Sequence, residues 1–380
     1  MSDHWQSSLQ RWLSAGLLDS GAAERIRAWE EAHGGEAKRG RLTLIVFAFG
    51  GLLLTAGILL FVASHWATLS PGARFGLVLV MVAVLHAGGA VASRTSGALA
   101  ATLHAVGTGA LGAGIYLSGQ IFHMAEHWPG ALMLWSMGAA IGVWLLRQWP
   151  QVLWLAVLAP AWLWGEWIEA HRPLMAWRAM APATVGLFLL ACVYLAAPPP
   201  GSAERWRRAL AWLGSAALIP AAIAAAFAKG NDFGMFGQER SEIGAGALIV
   251  AWTIAVAVPF ALAWWLRGRE AVWLLAALGW AIVATQVGRI DADNLVMYAL
   301  FAIGASGIVL WGVKDQQRLA INVGVLGFAL AVLAFYFSSV FDRLGRAVGL
   351  IGIGVLFIGG GWLLERARRR LISRMQLGGP

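Results

Sequence analysis

The sequence predicts an all-α, polytopic transmembrane helical bundle of about 12 spans, with both termini in the cytoplasm. Of the 380 residues, 59% are hydrophobic and only 12% are charged, whereas charged residues make up about 25% of a soluble domain. Apolar runs long enough to cross a hydrocarbon core of about 30 Å recur from Thr43 almost to the C-terminus. These runs are apolar on every face and lack the two-residue alternation of a membrane β-strand, so helices are predicted.

Residues 1–42 precede the first apolar run, and we expect them to form a short cytoplasmic helical hairpin. Apolar residues recur there at helical spacing, at Trp5, Leu9, Trp12 and Leu13 in one helix and at Ala22, Ile26 and Trp29 in the next. The hairpin could simply pack on itself, dock a partner protein or lie at the membrane interface. Because a polar segment comes first, we expect no cleavable signal peptide and a first span retained as a signal anchor.

Twelve spans are predicted, in two membrane halves at 43–197 and 208–364. A cytoplasmic linker at 198–207 joins the halves, and a basic cytoplasmic tail follows at 365–380. The fourth and fifth spans are short and could instead form a re-entrant pair. The predicted spans are 43–64, 73–92, 97–118, 130–146, 151–167, 181–197, 208–228, 245–266, 271–288, 294–312, 319–340 and 346–364.

Basic residues orient the chain. Of the 28 Lys and Arg, 20 lie in the two terminal segments and in every second connection between spans, which together form one side of the membrane. The other 8 lie in the remaining connections, on the opposite side. With ten acidic residues on the first side and nine on the second, the two sides carry +10 and −1, which sum to the net +9. The positive-inside rule then predicts a bacterial inner-membrane protein with both termini cytoplasmic. The basic charge therefore indicates the lipid bilayer as a partner, with no nucleic acid.

The predicted span cores contain no Asp, Glu, Lys or Arg. Because ionisable groups within the membrane usually mark proton relays and ion-coupled carriers, their absence argues against a carboxylate-driven transporter. The cores do contain an intramembrane polar pair, His86 and His104, placed nine residues on either side of Thr95. The two histidines therefore lie at the same depth and could face each other. They could hydrogen-bond between helices, or serve a proton, metal or haem.

His123, Glu126 and His127 spell H-x-x-E-H, the inverted zincin pattern in which two histidines bind zinc and the glutamate activates water. A zinc site also needs a third ligand, for which the nearby candidates are Glu166, Glu169, His171 and His65. Outer-surface ligand binding or a hydrated interfacial loop are the alternatives. We therefore predict no metal and no cofactor, with this segment as the weak candidate for a metal site. The lone Cys192 is interpreted as a packing residue.

Several motifs carry a family resemblance. They are the N-terminal hairpin, His65-Trp66, the segment Gln120-Ile121-Phe122-His123, and Leu134-Trp135. Over about residues 5–150 the chain resembles a bacterial family of predicted multi-pass membrane proteins that carry a domain of unknown function. The resemblance implies an inner-membrane protein without an assigned activity. Its most recognisable residues, Trp66, Gln120, His123 and Trp135, lie in or near the outer ends of the first four spans, with Trp135 inside the fourth.

The sequence favours a non-enzymatic protein with an outer-facing pocket in spans one to five that binds a small neutral or lipid-like ligand, for permeation or sensing. One alternative is a scaffold or assembly subunit that recruits a membrane or cytoplasmic protein partner through residues 1–42. Another is a metal-dependent membrane enzyme at the H-x-x-E-H segment. The candidate ligand-binding residues are Trp66, Gln120, His123, Glu126, His127 and Trp135.

Overall fold

The computed structural model describes residues 12–29, 70–121, 127–171, 177–202, 204–227, 243–287 and 295–340, with single positions outside these ranges. The described residues contain helices and turns and no strand, which confirms the all-α class. The chain divides into two compact units, Met1–His123 and Met124–Pro380. The predicted halves at 43–197 and 208–364 stay a prediction.

The helices between residues 70 and 340 are labelled in chain order. Unit 1 contains α1 (Pro71–Ala92) and α2 (Gly97–Ile121). Unit 2 contains α3 (Trp128–Leu146), α4 (Trp149–Ala170), α5 (Trp177–Leu195), α6 (Arg205–Phe227), α7 (Ala245–Arg267), a 3₁₀ turn (Gly268–Trp273), α8 (Leu274–Val287), α9 (Leu295–Lys314), α10 (Arg318–Phe335) and a π-helical turn (Tyr336–Val340).

Within the described residues, seven helical stretches are long and apolar enough to cross a membrane. The helix Met180–Leu195 is apolar but shorter. The predicted first and last spans fall almost entirely outside the described residues, so the number of about 12 stays a prediction. The seven are Pro71–Ala92, Gly97–Gly119, Trp128–Leu146, Arg205–Ala226, Ala245–Val287, Leu295–Lys314 and Arg318–Ser338, and the fifth of them covers α7, the 3₁₀ turn and α8.

In unit 1, α1 and α2 form an antiparallel hairpin. Gly89 near the end of α1 lies against His104 near the start of α2, and Gly114 late in α2 lies against Val78 early in α1. The short turn between the helices is closed by backbone hydrogen bonds, including Ser93 N to Gly89 O at 3.0 Å. Small residues at the contact allow the two backbones to approach closely, as is usual between membrane helices.

In unit 2, α3 and α4 form a second antiparallel hairpin with a very short connection. Arg147 takes the left-handed conformation at φ 51°, which ends α3 and reverses the chain. Gly142 then lies against Gln151, and Gly165 at the far end lies against Trp128. The helices have 19 and 22 residues, longer than the spans predicted for them. Whether both cross the membrane fully stays a prediction.

Helix α5 is the most deeply buried helix of unit 2. Val185 and Leu189 are fully enclosed among its neighbours. On α6, a Cβ atom at Gly214 would lie 2.3 Å from the backbone nitrogen of Leu195 and 2.6 Å from the carbonyl oxygen of Ala191. The two backbones therefore touch at this glycine.

Three connections of unit 2 meet in a polar cluster, which we call the connection cluster. The Arg267 side chain is only 3% exposed, and it forms ion pairs with Asp315 and Glu270. Its Nη1 also donates to the carbonyl oxygen of Pro198 at 3.2 Å, an acceptor that Gln317 Nε2 shares. Burial raises the pKa of the Asp315 carboxyl above its ordinary value, and the neighbouring Arg267 guanidinium acts in the opposite direction.

A second arginine reinforces the connection cluster. Arg207 Nη1 donates to the carbonyl oxygens of Ala197 at 3.0 Å and Leu266 at 3.1 Å, so it joins the α5–α6 connection to the end of α7. The three connections that meet here are ones predicted from charge to lie on the same side of the membrane. Their contact places them together at one end of unit 2, while their assignment to the cytoplasm stays a prediction.

Candidate functional site

The two membrane histidines of unit 1 contact each other. His86 Nδ1 lies 3.1 Å from His104 Nδ1, and the two rings are stacked with centroids 5.3 Å apart. A hydrogen bond at this distance requires one nitrogen to donate and the other to accept, so the two rings have opposite tautomers or share one proton. His104 is buried and His86 is partly buried.

Each histidine ring occupies a space that a glycine leaves on the opposite helix. A Cβ at Gly107 would lie 2.9 Å from His86 Nε2, and one at Gly89 would lie 2.7 Å from His104 Cε1. The reciprocal packing fixes both rings, and Thr108 Oγ1 donates to the backbone oxygen of His104 at 3.1 Å. His86 and His104 therefore form a hydrogen bond between α1 and α2, and both rings are tightly packed.

A second polar group lies where α3 begins and α4 ends. His127 Nε2 lies 2.9 Å from Glu166 Oε2, and the other oxygen of Glu166 accepts from Trp162 Nε1 at 2.9 Å. Trp128 Nε1 donates to Glu169 Oε2 at 2.7 Å. Both carboxylates are thus held by indole or imidazole nitrogens at an exposed end of the hairpin.

The proposed zinc ligands have different contacts, and only some of them are among the described residues. Of the candidates for a third ligand, Glu166 contacts His127, while His171 stacks on Trp167 with ring centroids 3.9 Å apart. Across the described residues, no three His, Cys, Asp or Glu side chains are grouped so that they could hold a metal ion. His65, His123 and Glu126 lie outside the described residues, so the zinc hypothesis stays untested there.

The other predicted site residues are only partly described. Trp135 lies in α3 and packs on Trp154 of α4, with ring centroids 5.0 Å apart. Gln120 belongs to α2, and Trp66 lies outside the described residues. The outer-facing pocket in spans one to five therefore stays a prediction.

A cavity that the sequence did not predict lies in unit 2. It has a volume of about 620 Å³ and is lined by residues of α5, α6, α8, α9, α10 and the 3₁₀ turn. Its walls are almost entirely apolar, and the large side chains among them include Phe188, Leu218, Trp273, Trp280, Phe301 and Trp311. This volume lies within the usual range of small-molecule pockets, about 300–1,000 Å³.

Two of the few polar groups at the cavity wall have partners within the protein. Trp280 Nε1 donates to the carbonyl oxygen of Leu300 at 2.8 Å, and the Tyr298 hydroxyl donates to Ser338 Oγ at 2.6 Å. The indole N–H of Trp273 is different, because it is buried with no acceptor in the described part of the chain. Sequence reasoning missed this wall because apolar cavity residues have the same composition as apolar core residues.

Apolar helices that pack through small residues, with ionic groups in the connections and near the helix ends, define a multi-pass α-helical membrane protein. Residues 10–152 match the family described as predicted membrane protein (DUF2157), which confirms the resemblance seen in the N-terminal motifs. No curated protein and no solved structure matches the chain significantly. The matched segment ends early in α4, so the cavity of unit 2 lies outside it.

Proposed function

We propose that the protein is a non-enzymatic membrane protein that binds a small apolar or lipid-like ligand in the cavity of unit 2, for sensing or permeation. The observation that carries this proposal is the cavity of about 620 Å³ with its nearly continuous apolar wall. In this proposal the protein lies in a bacterial inner membrane with both termini in the cytoplasm, since the basic residues are divided 20 to 8 between the two sides.

The dimensions of the cavity favour an elongated ligand. Tyr298 and Trp311 both line it and are separated by thirteen residues of α9, which is about 20 Å at 1.5 Å per residue. The cavity therefore runs along most of α9, parallel to the direction in which an apolar chain lies in a bilayer. A flat or round solute would leave much of this length unfilled.

The aromatic residues give the cavity a defined shape. Trp280 packs on Phe188 of α5 and on Phe301 of α9, with ring centroids 5.0 and 5.6 Å apart. Its ring lies against Gly304, where a Cβ would come within 2.6 Å of Nε1. Large rings that are fixed on two sides give a preformed wall, which lowers the entropic cost of ligand binding.

Photolabelling tests the proposal directly. The probe is palmitic acid with a diazirine in its chain, added to the full-length protein in dodecyl maltoside, with labelled residues identified by mass spectrometry. We expect labelling to concentrate on cavity residues such as Phe301 and Leu218 and to be competed by unlabelled palmitic acid. Labelling spread evenly over lipid-facing residues, without competition, would contradict the proposal.

A matched pair of glycine substitutions serves as the control. Gly307 lines the cavity and Gly279 does not, and a Cβ at either position meets open space. We expect Gly307→Leu to reduce competed labelling several-fold because its side chain enters the cavity mouth, while Gly279→Leu leaves it unchanged. Equal labelling of the two variants would argue against this cavity as the binding site.

A specific observation also favours the scaffold function. In the N-terminal segment Trp12, Leu17 and Trp29 are 47%, 72% and 60% exposed, so this short polar segment presents large apolar side chains that a partner protein could cover. We infer a second candidate function in which this segment recruits a cytoplasmic protein. Crosslinking and affinity purification with and without residues 1–42 test it, and retention of every partner by the shortened protein would contradict it.

A further inference from the structure

Exposed basic residues surround the connection cluster of unit 2. The cluster joins the α5–α6 connection, the turn after α7 and the α9–α10 connection through the hydrogen bonds and ion pairs of its two arginines. Each exposed basic residue lies within two positions of a cluster member, so all of them lie at the same end of the unit. We call this set the basic surface, and its members are Arg205, Arg269, Lys314 and Arg318.

The acidic residues of these three connections are already engaged by the cluster arginines. Glu204 Oε2 lies 2.5 Å from Arg207 Nε, while Glu270 and Asp315 both pair with Arg267. Residues 198–208, 267–273 and 314–318 contain seven basic and three acidic residues, which leaves a net charge of +4. The basic surface therefore presents positive charge that the acidic residues of these connections do not neutralise.

Tryptophans place the basic surface at the level of lipid head groups. Trp206 at the start of α6 contacts Trp265 near the end of α7, with ring centroids 6.1 Å apart, and the Arg207 guanidinium lies 4.6 Å from the Trp206 ring. Trp264 and Trp265 are both exposed. Exposed indoles of membrane proteins concentrate at the membrane–water interface. The basic residues beside them therefore lie at the depth of the lipid phosphates.

Exposed apolar side chains continue from the basic surface into the membrane. Leu310 precedes Lys314 by four residues on α9, and Trp212 follows Arg205 by seven residues on α6, so each pair shares a helix face. Both apolar side chains are exposed. A charged end followed by an apolar stretch matches a phospholipid, in which acyl chains follow the phosphate. A soluble anion would contact only the charged end.

We propose that the basic surface binds phospholipids with a net negative head group, whose phosphodiesters pair with Arg205, Arg269 and Arg318 and whose acyl chains lie along α6 and α9. A zwitterionic phospholipid carries an ammonium group next to its phosphate, and the basic side chains repel that group. No member of the basic surface lines the cavity of unit 2, so this inference does not rest on the proposed function.

Native mass spectrometry of the full-length, delipidated protein in detergent tests this inference. Phosphatidylglycerol and phosphatidylcholine with identical acyl chains are added in equal amounts, and the bound numbers of each lipid are compared. One basic residue near a lipid surface strengthens the binding of anionic lipid about fivefold, so we expect at least this preference for phosphatidylglycerol. Soluble glycerol phosphate in excess should not displace the lipid, because it has no acyl chains.

A triple variant tests whether the preference comes from the basic surface. Arg205→Gln, Arg269→Gln and Arg318→Gln together should reduce the preference for phosphatidylglycerol about fivefold or more. Replacing the same three residues with lysine keeps the charge and should keep the preference. If the triple glutamine variant fails to fold, the three single variants replace it, and at least one of them should weaken the preference.

The matched control removes three positive charges from unit 1. Its substitutions are Arg25→Gln, Arg27→Gln and Arg94→Gln, at exposed arginines in segments predicted to lie on the same side of the membrane as the basic surface. Because the two triple variants have the same net charge, a general attraction between a basic protein and anionic lipid would fall equally in both. We expect the control to bind phosphatidylglycerol like the wild type.

Four results would overturn the inference. They are equal binding of the two lipids by the wild type, an unchanged preference in the triple variant at the basic surface, an equal loss in the control variant, and displacement of the lipid by glycerol phosphate. The last result would show that the surface recognises a free phosphate ester instead of a membrane lipid. Loss of the preference in the first triple variant alone, with no displacement, supports the lipid site.

Discussion

At the residue scale, single glycines control how closely the helices approach. Gly214 is the clearest case, because a methyl group there would overlap backbone atoms of α5 rather than a movable side-chain tip. The sequence could not show which of the 47 glycines lies at a contact between helices. Whether a glycine lies at a contact depends on the rotation of its helix about the helix axis. A span that is apolar on every face has no polar side from which this rotation could be predicted.

We expect Gly214→Ala to destabilise the protein by about 1–3 kcal/mol or more, the usual cost of overpacking a core. The measurement is the thermal unfolding midpoint of the purified protein in detergent. Gly279→Ala is the control, since its Cβ meets open space on another helix of the same unit. Similar midpoints for the two variants would contradict the close α5–α6 contact.

The histidine pair provides a second test at this scale. The equal spacing of His86 and His104 from Thr95 suggested that the rings could meet, and the structure places their Nδ1 atoms 3.1 Å apart. A double-mutant cycle with His86→Ala and His104→Ala should give a coupling energy of about 0.6–1.7 kcal/mol, as for other hydrogen bonds between membrane helices.

A control cycle for this pair combines His86→Ala with Thr102→Ala. The hydroxyl of Thr102 donates to Ala98 O on its own helix at 3.0 Å, so it should not couple to His86. Unfolding free energies in lipid–detergent micelles provide the measurement. A His86–His104 coupling no larger than that of the control cycle would show that the hydrogen bond does not form.

At the element scale, the connections do more than join helices. Arg267, Asp315 and Pro198 come from three connections that are far apart in sequence, yet they form one buried polar cluster. Charge counting predicted that these connections share a side of the membrane, because each carries basic residues. Charge counting could not predict that Arg267 is buried, because in the sequence Arg267 looks like any other arginine at the end of a membrane span.

We expect Asp315→Asn to destabilise the protein by about 3–5 kcal/mol, because it leaves the buried Arg267 without its enclosed counter-ion. Glu270→Gln is the matched control, since Glu270 pairs with the same arginine but is 65% exposed, and an exposed pair contributes about 0–1 kcal/mol. Chemical denaturation in detergent measures both. Equal effects of the two variants would contradict the buried position of the ion pair.

At the scale of the whole molecule, the sequence predicted the class and most helix positions but gave no sign of the cavity in unit 2, and the outer-facing pocket predicted in spans one to five stays a prediction. Long apolar runs are set by bilayer thickness, so the predicted spans from 73–92 to 319–340 correspond to described helices. The cavity is lined by such residues as Leu218, Phe301 and Ala331, which come from separate helices and carry no motif. The cavity exists because of how these helices pack against one another. The sequence pattern of a single helix does not show such a space.

If an apolar ligand binds in the cavity of unit 2, a cryo-electron microscopy map of the protein in lipid nanodiscs should show elongated density along α9 between Tyr298 and Trp311. A map in which protein side chains, or the predicted span 346–364, fill that space would show that no ligand binds there.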